Sequence, residues 1–130
     1  MANMSNYLEV KLLNETLNGV AFTAVNNPYI SLHTADPTDA GTGTEVTGGS
    51  YARVASSFPT ASGTTGLVVS DATATFPTAT AGWGAVGWIG LWDSLSGGNM
   101  IYHTALDAPK TIDAGDIFKI SSGNLKVTLA

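Results

Sequence analysis

The apolar positions of this chain fall into one stretch of helical spacing followed by a series of short alternating runs. Over residues 5–18, Leu8 and Leu12 stack at one spacing, while Val10, Leu13 and Leu17 form a second row. Ser5 is placed to cap the start, and Asn18-Gly19 is a natural stop. The apolar arc is wide, which predicts a helix buried over more than half its girth, with Lys11, Asn14, Glu15 and Asn18 on the opposite side. It packs across its own domain, or also docks on a neighbouring subunit.

The rest reads as β. Short strands are predicted over 20–25, 29–33, 51–58, 67–70, 72–76, 117–120 and 125–129, with Gly, Pro, Asn or Asp between nearly all of them. Residues 34–50, TADPTDAGTGTEVTGGS, are almost devoid of apolar side chains and read as a loop. At the centre lies WGAVGWIGLWDSLSGGNMIYHTAL over residues 83–106. Two apolar runs joined through Ser-Gly-Gly-Asn predict a hairpin. Its first run scarcely alternates, so both faces are expected to be covered. Gly87 and Gly90 there are expected to admit a neighbouring backbone or tryptophan ring. Residues 109–115 read as a turn. The sum is mainly β: a single antiparallel β-sandwich or small barrel of about seven or eight strands with one N-terminal α-helix. No strand–helix–strand alternation supports a parallel nucleotide-binding sheet.

Composition sharpens this picture. The 130 residues suit a single domain, 1–130. They are 44% hydrophobic but only 12% charged, about half the usual charged share. So little charge implies a surface of small polar residues, partly covered by other subunits. The formal net charge is −5, and the five basic residues, Lys11, Arg53, Lys110, Lys119 and Lys126, are scattered along the sequence. That argues against direct nucleic-acid binding, which needs several cations on one face. No cysteine is present, so neither disulfides nor thiolate chemistry is expected. The N-terminal residues lack a basic region followed by an apolar run, and no apolar segment approaches membrane-spanning length, so neither a secretory signal nor a membrane partner is expected.

Few residues suggest chemistry. His33 and His103 are the two histidines, too few for a zinc site without further ligands. Asp36, Asp39 and Glu45 offer oxygens in one loop, but their spacing is not that of an EF-hand, and Asp36-Pro37 reads as a turn. No nucleophile elbow or phosphate loop occurs. Neither a metal, a cofactor nor a catalytic residue is therefore expected. Trp83, between Gly82 and Gly84, is expected to be the exposed tryptophan that anchors a partner, the other aromatics being core.

Four stretches carry a resemblance. They are SNYLEVKLLNETL; YISLHTADPTDAGTGTEVTGGSYARV; ATFPTATAGWGAVGWIGLWDS; and GGNMIYHTALDAPKTIDAGDIFKISSGNLKVTLA. Together they resemble a family of small tailed-phage virion structural proteins, the tail-fibre-like or head-decoration-like proteins of phages and prophages. Trp88 and Trp92 depart from it, standing where smaller residues are expected. The resemblance implies a non-enzymatic virion component, assembled in the host cytoplasm. The first expectation is a capsid decoration, or cement, protein that binds the major capsid protein and braces the shell as a homo-oligomer. The alternatives are a neck, collar or tail-fibre component, or a host-glycan-binding β-sandwich module. Leu8, Leu12, Leu13, Leu17 and Trp83 are the candidate partner-binding residues, and the loop over 34–50 is a candidate for reaching a neighbour.

Overall fold

The computed structural model describes residues 2–129. Among them the chain forms β1 (Asn3–Met4), α1 (Asn6–Asn18), β2 (Tyr29–His33), β3 (Val54–Ala55), β4 (Leu67–Val69), β5 (Ala74–Thr75), β6 (Gly84–Trp92), β7 (Met100–Ile112), β8 (Lys119–Ile120) and β9 (Lys126–Thr128). Five strands make one antiparallel sheet in the order β1-β7-β6-β2-β3, and β4-β9 and β5-β8 form two small antiparallel ribbons. The fold is thus mainly β and open-sandwich-like, with one N-terminal helix.

The β6–β7 hairpin is the centre of the sheet. Its first strand is covered on both faces, as its lack of alternation implies. On one face Ile89 and Leu91 of β6 stand beside Leu32 and Ile30 of β2, in a core that also takes Phe76, Phe118 and Leu125 from around the ribbons. A line of rings runs through that core: Trp83 meets Tyr51 edge-on at 5.4 Å, Tyr51 stacks with Phe76 at 6.4 Å, and Phe76 meets Phe118 edge-on at 5.6 Å. On the other face Ser31 and His33 oppose Gly90 and Trp88. That face is polar, and the Ser31 hydroxyl accepts from Trp92 Nε1 at 2.7 Å and lies 2.7 Å from His33 Nε2. Gly90 is needed here: a Cβ on it would lie 2.8 Å from Ser31 Oγ and 2.9 Å from Trp92 Nε1. Gly87 meets only Pro109, at an ordinary 3.9 Å.

Three local expectations are corrected. Residues 20–25 form no strand; Phe22 and Val25 pack their side chains against the core from an unpaired segment. Of residues 51–58 only Val54 and Ala55 pair. Beyond them the β2 edge is taken by residues 44–46, with the Val46 amide donating to Leu32 O and the Thr34 amide to Thr44 O, and Tyr51 reaches β2 through its hydroxyl, which accepts from the Leu32 amide. The predicted turn over 109–115 starts late, since β7 continues through Pro109 to Ile112. Val86 faces Lys110 whereas Trp88 faces Ala105, so the residues between them bulge out opposite Gly87. A bulge has no ladder amide to donate, which makes it a place where proline fits within a strand.

Candidate interaction surfaces

Helix α1 starts as its sequence requires. Ser5 Oγ accepts from the Leu8 amide at 3.2 Å, and Gly19 ends the helix in the left-handed conformation at φ 66°. The start is also fixed to the sheet. The Ser5 hydroxyl donates to Met100 O, its amide donates to Ile101 O at 2.9 Å, and the Asn6 amide donates to Asp39 O at 2.9 Å. Leu8 is buried in the core and Leu12 packs against it. The predicted second row is not buried. Val10, Leu13 and Leu17 are 55%, 56% and 74% exposed, and Val20 beyond the helix is exposed as well. The helix is therefore covered along one side only, with Tyr7, Lys11, Leu12 and Asn14 half-buried around Leu8. A 100° step per residue sets Leu13 opposite the side that touches the sheet. Lys11 is turned back, with its ammonium 5.5 Å from the Tyr7 ring.

Trp83 corrects the sequence expectation most sharply, because it is buried, with 5% of its surface exposed. Its Nε1 donates to Gly49 O at 3.0 Å, and its ring packs on Tyr51. Gly84 takes φ 82°, and a Cβ on the facing Gly49 would lie 2.9 Å from Trp83 Nε1. Trp92 is buried too and Trp88 is half-buried.

The loop over 34–50 is folded back on the sheet rather than projecting. Asp39 Oδ1 is 2.7 Å from His103 Nε2, and Asp36 Oδ1 is 3.6 Å from His103 Nδ1. Pro37 and Val46 are buried. Glu45 meets Arg53 through two hydrogen bonds, Nε to Oε1 and Nη2 to Oε2, both 2.8 Å. Tyr51 Oη donates to the same Oε1 at 2.8 Å. Arg53 Nη1 donates to Ser94 O at 2.9 Å and Gly97 O at 2.8 Å, and its guanidinium stands 4.0 Å from the Trp92 ring centroid. One buried cation thus ties the loop, the hairpin turn and a tryptophan together. Burial pushes the Glu45 carboxyl up, but the Arg53 and Tyr51 hydrogen bonds and the guanidinium charge outweigh it and hold the group below the ordinary carboxylate value. Burial raises the Tyr51 hydroxyl. It also lowers the His33 imidazole, against the opposing pull of Glu45. Of the loop's acids, Asp36 and Asp39 face His103 of β7, and Glu45 faces Arg53. Among the described residues no group of three or more His, Asp or Glu is placed to hold a metal ion, and no helix is long and apolar enough to cross a membrane.

The structure also gathers what the sequence scatters. Lys110 on β7, Lys119 on β8 and Lys126 on β9 line one groove of about 550 Å³ between the bulged part of β7 and the ribbons. Each is exposed, and none makes an ion pair among the described residues. The signal available in the sequence was local: Lys119 follows Phe118 and Lys126 follows Leu125, so each points away from a core neighbour.

No curated protein matches the chain. Residues 3–128 match the family described as podophage GP4 fiber I protein gp80. This chain belongs to that family, and it is a structural protein of the phage virion.

Proposed function

We propose that this protein is a non-catalytic docking module of the virion's fibre apparatus, attached through the outer face of α1. The exposed row Val10, Leu13 and Leu17 carries this reading. Three large aliphatic side chains on the solvent side of a helix that is otherwise well capped and anchored mark a partner site. The family description, a fibre protein, favours the fibre over the shell. The burial of Trp83 and Trp92 removes two of the three tryptophans as stacking platforms for a host glycan. His103 bonds Asp39 across from β7 to the loop, and His33 bonds Ser31 within β2.

The test pairs a surface lesion with localisation. Leu13→Asp with Leu17→Asp lies outside the core, so the variant is expected to fold with an unchanged circular dichroism spectrum and melting temperature. It is expected to be lost from purified particles. Immunogold labelling of particles carrying the parent chain is expected at the tail or neck. Label spread over the head would instead assign the module to capsid decoration, with the major capsid protein as its partner. A variant retained in particles at parent levels would reject the helix face as the docking surface.

A further inference from the structure

We infer that copies of this chain join head to tail, with the outer face of α1 of one copy seated in the lysine-rimmed groove of the next. The inference rests on the reading of α1 as a docking surface and names its occupant as a second copy.

Charge sets the argument. Arg53 is consumed inside the fold, and Lys11 is drawn back onto Tyr7. The remaining three cations, Lys110, Lys119 and Lys126, rim one groove together with a single acid, Asp107. A net-positive groove in a chain of formal net charge −5 calls for an acidic occupant. Its lining also includes the half-buried Leu106 and Ile120, so the occupant must be apolar as well. The outer face of α1 has both properties. It carries Val10, Leu13 and Leu17 at i, i+3 and i+7, and the exposed carboxylate of Glu9 borders that row at i−4 from Leu13. This is the pattern of a helix that seats in an apolar groove.

Geometry then fixes the mode. The groove wall on β7 is bulged opposite Gly87, so it offers no flat ladder for an added strand, and a helix is the better fit. The row on α1 faces away from its own sheet, and Ser5 anchors the helix start to Met100 and Ile101, so the helix cannot turn into its own groove. The two complementary surfaces differ, so their contact is heterologous. It repeats from copy to copy into a ring or a filament.

Mixing variants tests the contact by sedimentation. The parent is expected to exceed 13.3 kDa increasingly with concentration, and to dissociate as salt is added. Leu13→Asn with Leu17→Asn, and separately Lys119→Glu with Lys126→Glu, are each expected to stay at 13.3 kDa. Mixed, they are expected to form a one-to-one complex that grows no further, because each retains the surface the other has lost. Should that helix variant fail to fold, Glu9→Lys replaces it. It restores opposite charge when mixed with the Lys→Glu variant. A groove variant that associates like the parent would overturn the proposal, as would a mixture that stays monomeric. If the parent is monomeric at every concentration while the helix variant is still lost from particles, α1 docks on a different virion protein. That outcome rejects this inference and leaves the proposed function standing.

Discussion

The two ends of the β6–β7 hairpin treat positive charge in opposite ways. At the turn end Arg53 is 8% exposed, and its guanidinium meets Glu45, Ser94 O, Gly97 O and the Trp92 ring. At the open end Lys110, Lys119 and Lys126 stand in solvent without an ion pair among the described residues. The residue types match these uses. A planar guanidinium fits a carboxylate and two carbonyls at fixed angles and stacks on an aromatic ring, whereas an ammonium on a flexible stem remains hydrated until a partner arrives. The cation buried with its partners belongs to the fold, and those left outside are available to another chain.

The largest expected effect breaks the turn end. Arg53→Met strands the Glu45 carboxylate and frees two carbonyls of the hairpin turn. Removing one member of a buried pair costs about 3–5 kcal/mol, and Glu45 keeps some solvent, so the lower end of that range is expected. Urea denaturation reads the loss directly. Arg53→Lys is expected to recover little of it, because an ammonium cannot make the paired contact with Glu45. Full recovery by lysine would mean that charge alone, and not the fork of donors, holds the turn.

A smaller loss is expected one pair along the hairpin. In Gly90→Ala the new methyl meets Ser31 Oγ, Trp92 Nε1 and Met100 Sδ at 2.8, 2.9 and 3.2 Å. Overpacking of this kind costs about 1–3 kcal/mol. The indole is expected to shift, so a change in near-ultraviolet circular dichroism should accompany the lower denaturation midpoint. Gly87→Ala, facing only Pro109, serves as the mild comparison.

The sequence disclosed those features whose causes are local. Ser5 and Gly19 bound α1, and the Ser-Gly-Gly-Asn turn located the hairpin. The unalternating run over 86–92 correctly implied a strand covered on both faces. What stayed hidden depends on partners distant in sequence. The helical pattern showed two apolar rows on α1 but not that the sheet covers only one of them. Trp83 read as exposed from its flanking glycines, whereas Gly49 and Tyr51 bury it. The lysine groove needs β7, β8 and β9 side by side, and no periodicity in the chain announces that. Arg53 and Glu45 lie eight residues apart across a loop, a spacing that carries no signal of helix or strand.

Acid is expected to weaken the turn end in two stages. His33 titrates in the fold below its ordinary 6.5, because burial disfavours the imidazolium. A depressed value means the unfolded chain binds the proton first, so this contribution is complete above pH 6.5 and declines as the pH falls below it. Glu45 lies below its ordinary 4.5, and its contribution likewise declines as the pH falls through that region. Urea midpoints are therefore expected to be level above neutrality, to slope down below 6.5 and to steepen below 4.5. His33→Asn is expected to abolish the first slope and keep the second. A first slope that survives this substitution would place the titrating group elsewhere.

The smallest expected effect on stability lies at the open end, and its smallness completes the comparison. Lys119→Glu with Lys126→Glu reverses two of three groove charges, yet each side chain is exposed on a short ribbon strand. Surface changes of this kind stay within about 0.5 kcal/mol, so the urea midpoint should match the parent's. If the lysines instead stabilised the monomer as Arg53 does, reversing them would cost as much as Arg53→Met, and the contrast between the two ends would fail. An unchanged midpoint together with lost self-association separates the roles. The groove charges then contribute nothing to the folded monomer and act through contact with another chain.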